Sequence, residues 1–482
     1  IITMLEFEPE LNAVEFETLS SREDQYITRS SRLPHVALSG AAGYSKRDRT
    51  TDGFPITGES LFQRQLRLSV RQLLYDGGSS MNSLKASRND LLSQQYLEKD
   101  TIERRVVDLT EVYLDILRTQ RQVALAEANI ANHRETRDML QQQADAGGSR
   151  ADAALVQGRM GLATSELATQ RLALAAATAR YHRLVGEAPR KLFFPKIPPV
   201  PASVDSVDVS NNFAYLTATE ALEAARHRHK ASKGLKAPKF YFDAGVTAGA
   251  DRTGISGEDN EASALIVGSW DLYKGGYNKA VEKRERYQVK KYEELVNAAD
   301  LERQYQFKLA WQEREGSLNS INSLEQYAQE LSQVTKDYEQ QFQVGQRELL
   351  NILDVQSEAY TAKSRLLDAE FSRDVGAYRI AGVLGRATEY LLGKDGWDRV
   401  LNNKDDEDAE NYASENATYD PDYRPVSSQD GLMNGDYDSR GPSVDPAESE
   451  LPESEYALPS EPQATARPIK KKFRLFPFGR KR

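Results

Sequence analysis

At 482 residues the chain is long enough for several cores, but it holds no cysteine, which excludes disulfides and thiolate metal or redox centres. A formal charge of −10 argues against nucleic acid as the main partner. With 39% hydrophobic residues, a mean hydropathy of −0.64 and no apolar run near the ~18 residues of a spanning helix, any membrane contact must come from alternating strands or a surface helix.

The chain opens Ile1-Ile2-Thr3, with no initiator Met and no apolar signal core, which suggests a processed or truncated start. A helical run over about 8–32 comes first. Next, Val36, Leu38, Gly40, Ala42 and Tyr44 alternate with Ala37, Ser39, Ala41 and Gly43, a period of two that predicts a strand with two unlike faces. A polar loop over about 45–61 leads to a return strand, Leu66-Arg67-Leu68-Ser69-Val70-Arg71, in strict alternation.

After Gly77-Gly78 a long helical pattern begins. Ile102, Val106, Leu109, Tyr113, Ile116 and Val123 follow the three–four spacing of a coiled-coil seam, and no proline interrupts 79–142. Such a helix would be roughly 96 Å long at 1.5 Å per residue. The run breaks at Asp145-Ala146-Gly147-Gly148, and a second helix returns over about 150–184. The segment 187–212, with five prolines, reads as a linker.

The grammar then repeats. A helical run spans 214–234. Phe240, Phe242, Ala244, Val246 and Ala248 alternate with Tyr241, Asp243, Gly245, Thr247 and Gly249, and after a loop at 251–262 comes Ala264–Trp270. Past Gly275-Gly276 a second long helix has a seam at Leu324, Tyr327, Leu331, Val334 and Tyr338. It breaks at Gln343-Val344-Gly345-Gln346 and returns over about 348–384. Leu74-Tyr75-Asp76-Gly77-Gly78 recurs as Leu272-Tyr273-Lys274-Gly275-Gly276, and Leu184-Val185-Gly186 as Val383-Leu384-Gly385. Ordered matches of this kind make a tandem duplication of about 200 residues.

The expected organisation is a first repeat over 1–186, a linker over 187–212, a second repeat over 213–386, a short C-terminal segment over 387–402 and a tail over 403–482. Residues 403–463 carry 17 acidic against 3 basic side chains, and 464–482 carry 8 basic and none acidic. That composition reads as a disordered tail.

Four strands cannot close a membrane barrel, whose smallest form has eight, and open sheet edges are not tolerated in lipid. Other chains must therefore complete the sheet. Tyr44, Phe62, Tyr75, Phe240 and Tyr273, near strand ends, suit interfacial girdles. The glycine pairs Gly77, Gly78, Gly275 and Gly276 read as strand-to-helix swivels, since neither has the third glycine or the acidic residue of a dinucleotide site.

The order strand, loop, strand, Tyr-X-Gly-Gly, long helix, Gly-containing tip, return helix and Leu-Val-Gly, made twice, resembles the TolC-like outer-membrane factors over residues 8–400. Leu73 and Asp271 stand where that family usually has a proline, and Asn351 where many members have Asp. The resemblance implies an α+β tandem-repeat protomer. Its four transmembrane strands join a trimeric twelve-stranded barrel, and its long coiled-coil helices form a periplasmic α-barrel. It implies a homotrimer in the outer membrane of a Gram-negative bacterium, most of the chain lying in the periplasm. Its partners would be outer-membrane lipid, a periplasmic adaptor and an inner-membrane transporter. The function implied is passive export, in type I protein secretion or in drug efflux. Asp152, Arg347, Asn351 and Asp354 match the periplasmic gate. Ala146, Gly147, Gly148, Val344, Gly345 and Gln346 match the adaptor-contacting tips.

No enzyme, cofactor or metal site is expected. His227 and His229 are two apart and so point to different helix faces, and His35, His133 and His182 stand alone. The reading from another class is a soluble coiled-coil scaffold, which explains the helices but not the two-faced hairpins before them.

Overall fold

The computed structural model describes residues 1–46, 49–51, 54–56, 60–144, 150–203, 210–251 and 256–397. The tail from 403, most of the first tip, Asp52 and the end of the 387–402 segment lie outside the described residues.

Two short N-terminal helices, α1 (Ile2–Phe7) and α2 (Pro9–Ser30), lead to β1 (His35–Lys46), a small hairpin of β2 (Arg49–Thr51) and β3 (Phe54–Ile56), and β4 (Ser60–Tyr75). The helical hairpin α3 (Ser79–Ala144) and α4 (Arg150–Val185) follows. The second half runs α5 (Phe213–Gly234), β5 (Lys239–Ala250), β6 (Glu261–Ser269), α6 (Tyr277–Gln343) and α7 (Leu349–Val383), closing with α8 (Ala387–Leu392). The duplication is visible in the bounds themselves. Residues of α2 and β1 reappear 204 positions later in α5 and β5, and the first residue of α3 reappears 198 positions later in α6.

β1, β4, β5 and β6 form one antiparallel sheet in that order. The return strand predicted at 66–71 extends over 60–75, and the loop before it holds the β2–β3 pair. The register of β4 on β5 shifts between Leu73 and Tyr75. This bulge brings Tyr75 opposite Phe240, onto the face opposite the one strict alternation would give it.

Helices end where glycine permits. At the α6 terminus Gly345 has φ +75°, its N–H donates to Phe342 O at 2.9 Å, and the Gln346 N–H donates to Gln341 O at 2.8 Å. That pair of bonds is a Schellman cap. Gly385 after α7, with φ +66°, repeats it through Gly382 O and Ala381 O. Both breaks predicted from sequence in the second repeat therefore have a backbone cause.

Packing follows level by level. Beside the sheet, α3 packs on α5, where Asn89 donates to Glu220 at 2.7 Å, Ser93 donates to the Thr217 carbonyl at 2.9 Å, and Arg228 pairs with Asp90. Midway along α3, Met4 and Leu5 of α1 share a core with Ile102, Val106, Leu184 and Trp397. The N-terminal residues, given no element in the sequence reading, are thus part of the main core. Buried Glu103 accepts from the backbone N–H groups of Ala387 and Thr388 at 3.1 and 3.2 Å, and so holds α8 against α3.

The coiled-coil seams depart from expectation. In α3 the apolar positions Ile102, Val106, Leu109 and Ile116 are buried, but Tyr113 and Val123 are only half-buried. The buried stripe continues as Thr119, Gln122, Ala126, Asn129, His133, Thr136 and Leu140, a three–four spacing mostly filled by polar residues. In α6 the buried phase is Phe307, Ala310, Ile321, Ala328 and Phe342. Tyr327 and Val334 fall off that stripe, Tyr327 being 41% exposed with its hydroxyl on Glu358.

Candidate functional site: a two-faced wall, glycine swivels and helical tips

The sheet has one apolar and one polar face, and the register shows it strand by strand. Val36, Val70 and Ala244 lie in one cross-strand row, and Leu38, Leu68 and Val246 in the next. Ala264 and Ala262 of β6 continue these two rows. Leu38, Leu66, Val246 and Ile266 are exposed on this side. Their exposure is costly in water at about 25 cal/mol per Å² of apolar surface, and costs nothing against hydrocarbon. Aromatic pairs mark both ends of the face. Tyr44 and Phe62 meet edge-on with centroids 5.1 Å apart, and Tyr75 lies 6.3 Å from Phe240. From Phe62 to Tyr75 a strand tilted ~40° rises roughly 30 Å, the thickness of a hydrocarbon core.

The opposite face carries Ser39, Gln65, Arg67, Ser69, Arg71, Asp243 and Thr247. Arg71 is bidentate to Asp243 at 2.9 and 2.8 Å, and its guanidinium lies over Tyr241. Ala37, Ala41, Leu73, Leu265 and Val267 are apolar residues on this side.

The two swivels are alike in backbone and unlike in surroundings. Gly77 and Gly78 have φ +69° and +78°, and Gly275 and Gly276 +57° and +84°. A β-carbon at Gly77 would lie 2.4 Å from Ala237 Cβ and 2.8 Å from the Gly234 carbonyl, whereas one at Gly275 or Gly276 would meet nothing within 4 Å.

At the far end of the helices an apolar cluster of Leu140, Val156, Phe342, Leu349, Ile352 and Leu353 joins the two helical hairpins. The sequence-predicted gate residues surround it. Asp152 stands in the first turn of α4, half-buried. Arg347 precedes α7, its guanidinium 3.9 Å from the Tyr338 ring centroid and its Nε donating to Gln341 at 3.1 Å. Among the described residues, no ion pair joins Arg347 to Asp152. Asn351 lies in the first turn of α7, its N–H donating to the Glu348 carbonyl at 3.2 Å. Asp354 accepts from Arg159 at 2.7 Å, a partner the sequence reading did not single out. Val344 is exposed, Gly345 and Gln346 form the cap described above, and Ala146, Gly147 and Gly148 lie outside the described residues.

Just above this cluster sits a polar knot. Gln356 of α7 donates to Thr136 at 3.0 Å and to Glu339 at 3.1 Å. His133 is buried beside it with no partner for Nδ1 among the described residues. Burial holds the His133 pKa below the ordinary imidazole value, with Arg159 adding to the effect and Gln356 opposing it. At Glu103 burial outweighs the two N–H donors and raises the carboxyl to about 7. Among the described residues no group of His and acidic side chains has the geometry of a metal site, and no helix is long and apolar enough to cross a membrane.

Residues 2–187 match the family model described as outer membrane efflux protein. The chain is 23% identical over 381 residues to the outer membrane efflux protein BepC of Brucella suis, covering 77% of this chain and 81% of that one. It is 24% identical over 419 residues to the alkaline protease secretion protein AprF of Pseudomonas aeruginosa, covering 80% and 84%. Among solved structures, the outer membrane protein VceC of Vibrio cholerae superposes with a TM-score of 0.72 at 15% identity, covering 80% of this chain and 94% of that one. The Campylobacter jejuni CmeC outer membrane channel does so with 0.69 at 10% identity, over 83% and 88%. Repeat, two-faced sheet, long helical hairpins and these likenesses agree: the first half of the chain is similar to the outer membrane efflux protein family, and the protomer shares the fold of solved outer-membrane channels.

Proposed function

We propose that three copies of this chain form one passive exit duct, a twelve-stranded barrel in the outer membrane continued by a helical tunnel in the periplasm. The observation that carries this reading is the sheet. Among the described residues β1 and β6 have a neighbour on one side only, one face is apolar and the other polar, and the strands lead through glycine turns into helices of 66 and 67 residues. A four-stranded sheet with free edges is not viable in lipid, while three copies give twelve strands and no edge. The polar face then lines the lumen and the apolar face meets lipid. The helices, at ~1.5 Å per residue, reach about 100 Å from the membrane.

The work of transport lies with partners. An inner-membrane transporter supplies energy, and a periplasmic adaptor docks on the tips around Gly345 and its first-repeat counterpart. BepC is named for efflux and AprF for protease secretion. Arg347, Asp152, Asn351 and Asp354 would ring the entrance in threefold symmetry. Bilayer conductance tests the reading: the purified protein should insert as a water-filled channel. A cysteine replacing Glu258, between β5 and β6, should react with an impermeant maleimide on intact cells. Protein that never conducts, or a cysteine that reacts only after the outer membrane is permeabilised, overturns it.

A further inference from the structure

The duplication lets the contact between neighbouring copies be read from contacts inside one copy. β1 residues reappear 204 positions later in β5, and α3 residues 198 positions later in α6. Taking 198 for β4 to β6 as well, these offsets can be checked. The pair Leu38–Leu68 within the first hairpin maps to Phe242–Ile266, and that is the pair observed between β5 and β6. The pair Ala42–Arg64 maps likewise to Val246–Ala262, again as observed. One internal seam therefore reproduces the other to the residue.

Among the described residues the seam between β4 and β5 has no such counterpart within the chain, because β6 is a free edge. From the same offsets we infer the register with which β6 meets β1 of the next copy. Leu68–Val246 becomes Ile266 against Ala42 of the neighbour, and Val70–Ala244 becomes Gly268 against Gly40. Both partners then project to the apolar face, a match that a shift of one residue would destroy. Tyr75–Phe240 becomes Tyr273 against Val36, so the mapped pairing continues β6 beyond Ser269. Tyr273, 85% exposed in one chain, thereby gains a cross-strand partner as Tyr75 has in Phe240.

The helices follow the same rule. Asn89 of α3 and Glu220 of α5, hydrogen-bonded at 2.7 Å, map to Tyr287 of α6 and Phe16 of the neighbour's α2. These are two aromatic side chains left 55% and 68% exposed in the single chain. A polar contact inside the chain is thus replaced by an apolar one between chains, where it removes two large aromatic surfaces from water.

This register rests on the ring closure proposed above, and the test separates the two. The chain has no cysteine of its own, so paired substitutions report without background. Ile266→Cys with Ala42→Cys should give covalent trimers under mild oxidation. Ile266→Cys with Gly40→Cys should not, since diagonal neighbours lie ~7–8 Å apart, at or beyond disulfide reach. Ile266→Cys with Gly43→Cys should also fail, the second thiol facing the lumen. A short bismaleimide should link Phe16→Cys to Tyr287→Cys in the assembled membrane protein, a check independent of the strands. Trimers that cross-link through Gly40, or through none of these pairs, overturn the register while leaving the ring intact. Protein that never assembles beyond one copy overturns the ring and the register together.

Discussion

The two repeats have the same backbone and different surroundings, and the difference maps the edge of the molecule. Gly77 is clamped against Gly234 and Ala237, while a β-carbon at Gly275, its counterpart, would meet nothing within 4 Å among the described residues. Buried Glu103 in α3 corresponds to Leu301 in α6, which is 68% exposed, and the polar seam residues Asn129, His133 and Thr136 correspond to Tyr327, Leu331 and Val334. The first repeat has its neighbours inside the chain and fills its contacts with polar and glycine-tight packing. The second keeps apolar residues on a face that one chain leaves uncovered. Burial alone would have called α6 the more poorly packed helix. Set beside α3, its exposed apolar face is what the proposed contact with another copy requires.

Breaking the clamp should have the largest effect. Gly77→Ala places a methyl group inside van der Waals contact of backbone at positive φ, and should cost on the order of 3 kcal/mol or more. Gly275→Ala meets only the positive-φ penalty of about 1–2 kcal/mol. Ser30 and Leu33 stand where the inner swivel has Gly234 and Ala237, so the outer swivel cannot seat as deeply even in a ring. Thermal melting of the purified protein checks this: equal losses for the two substitutions would erase the contrast.

Glu103 comes next. Its folded pKa is about 7, above the ordinary carboxyl value, so its neutral form is favoured in the fold. Its contribution is fully present below pH ~4.5 and declines as pH rises through 7, by about 3 kcal/mol at most. Glu103→Gln should flatten that decline, and Glu103→Ala should lower stability at every pH by leaving two α8 N–H groups without their acceptor. Urea titrations at pH 5 and pH 8 distinguish the two. A wild-type protein more stable at pH 8 would contradict the assignment.

His133 titrates with the opposite sign. Its pKa is lowered by burial, so the packing of α3 on α7 is strongest above pH ~6.5 and weakens as pH falls below it. His133→Leu, which copies Leu331 of the second repeat, should remove this dependence and gain about 1 kcal/mol by deleting an unpartnered nitrogen. Hydrogen exchange of amides near Thr136 at pH 5.5 and 7.5 measures it. Exchange that slows on acidification would sink the idea.

Much of this was legible from residues alone. Period-two alternation, paired glycines and runs without proline located the four strands of the sheet, the second of them too short, and all six of the longer helices to within a few positions. What escaped depends on partners far apart in sequence. The Asp354–Arg159 pair joins α7 to α4, and nothing near Asp354 announces it. The bulge that turns Tyr75 is a single extra residue in an otherwise regular strand. The α6 seam lies off the phase buried within one chain because the outer face of α6 is apolar too, so Tyr327 and Val334 look as suitable as Ile321 and Ala328. The polar stripe of α3 was passed over because an apolar pattern cannot reveal a buried glutamine or histidine.

The entrance should show the smallest energetic effects. The pair of Asp354 with Arg159 is partly exposed and worth about 0–1 kcal/mol, so Asp354→Ala should leave melting unchanged. Its effect belongs to ion flow, where loss of three carboxylates should weaken cation preference. Arg347→Ser should raise single-channel conductance by freeing the tip from Tyr338 and Gln341. Unchanged conductance and selectivity in both variants would place the gate elsewhere.

The number of copies in the membrane-extracted particle decides most. Native mass spectrometry of protein released from detergent should find three chains of 54.0 kDa in one assembly, with no stable dimer. A particle of one chain would leave β1 and β6 as open edges in lipid, and a particle of two would close eight strands instead of twelve; either result contradicts the twelve-stranded duct.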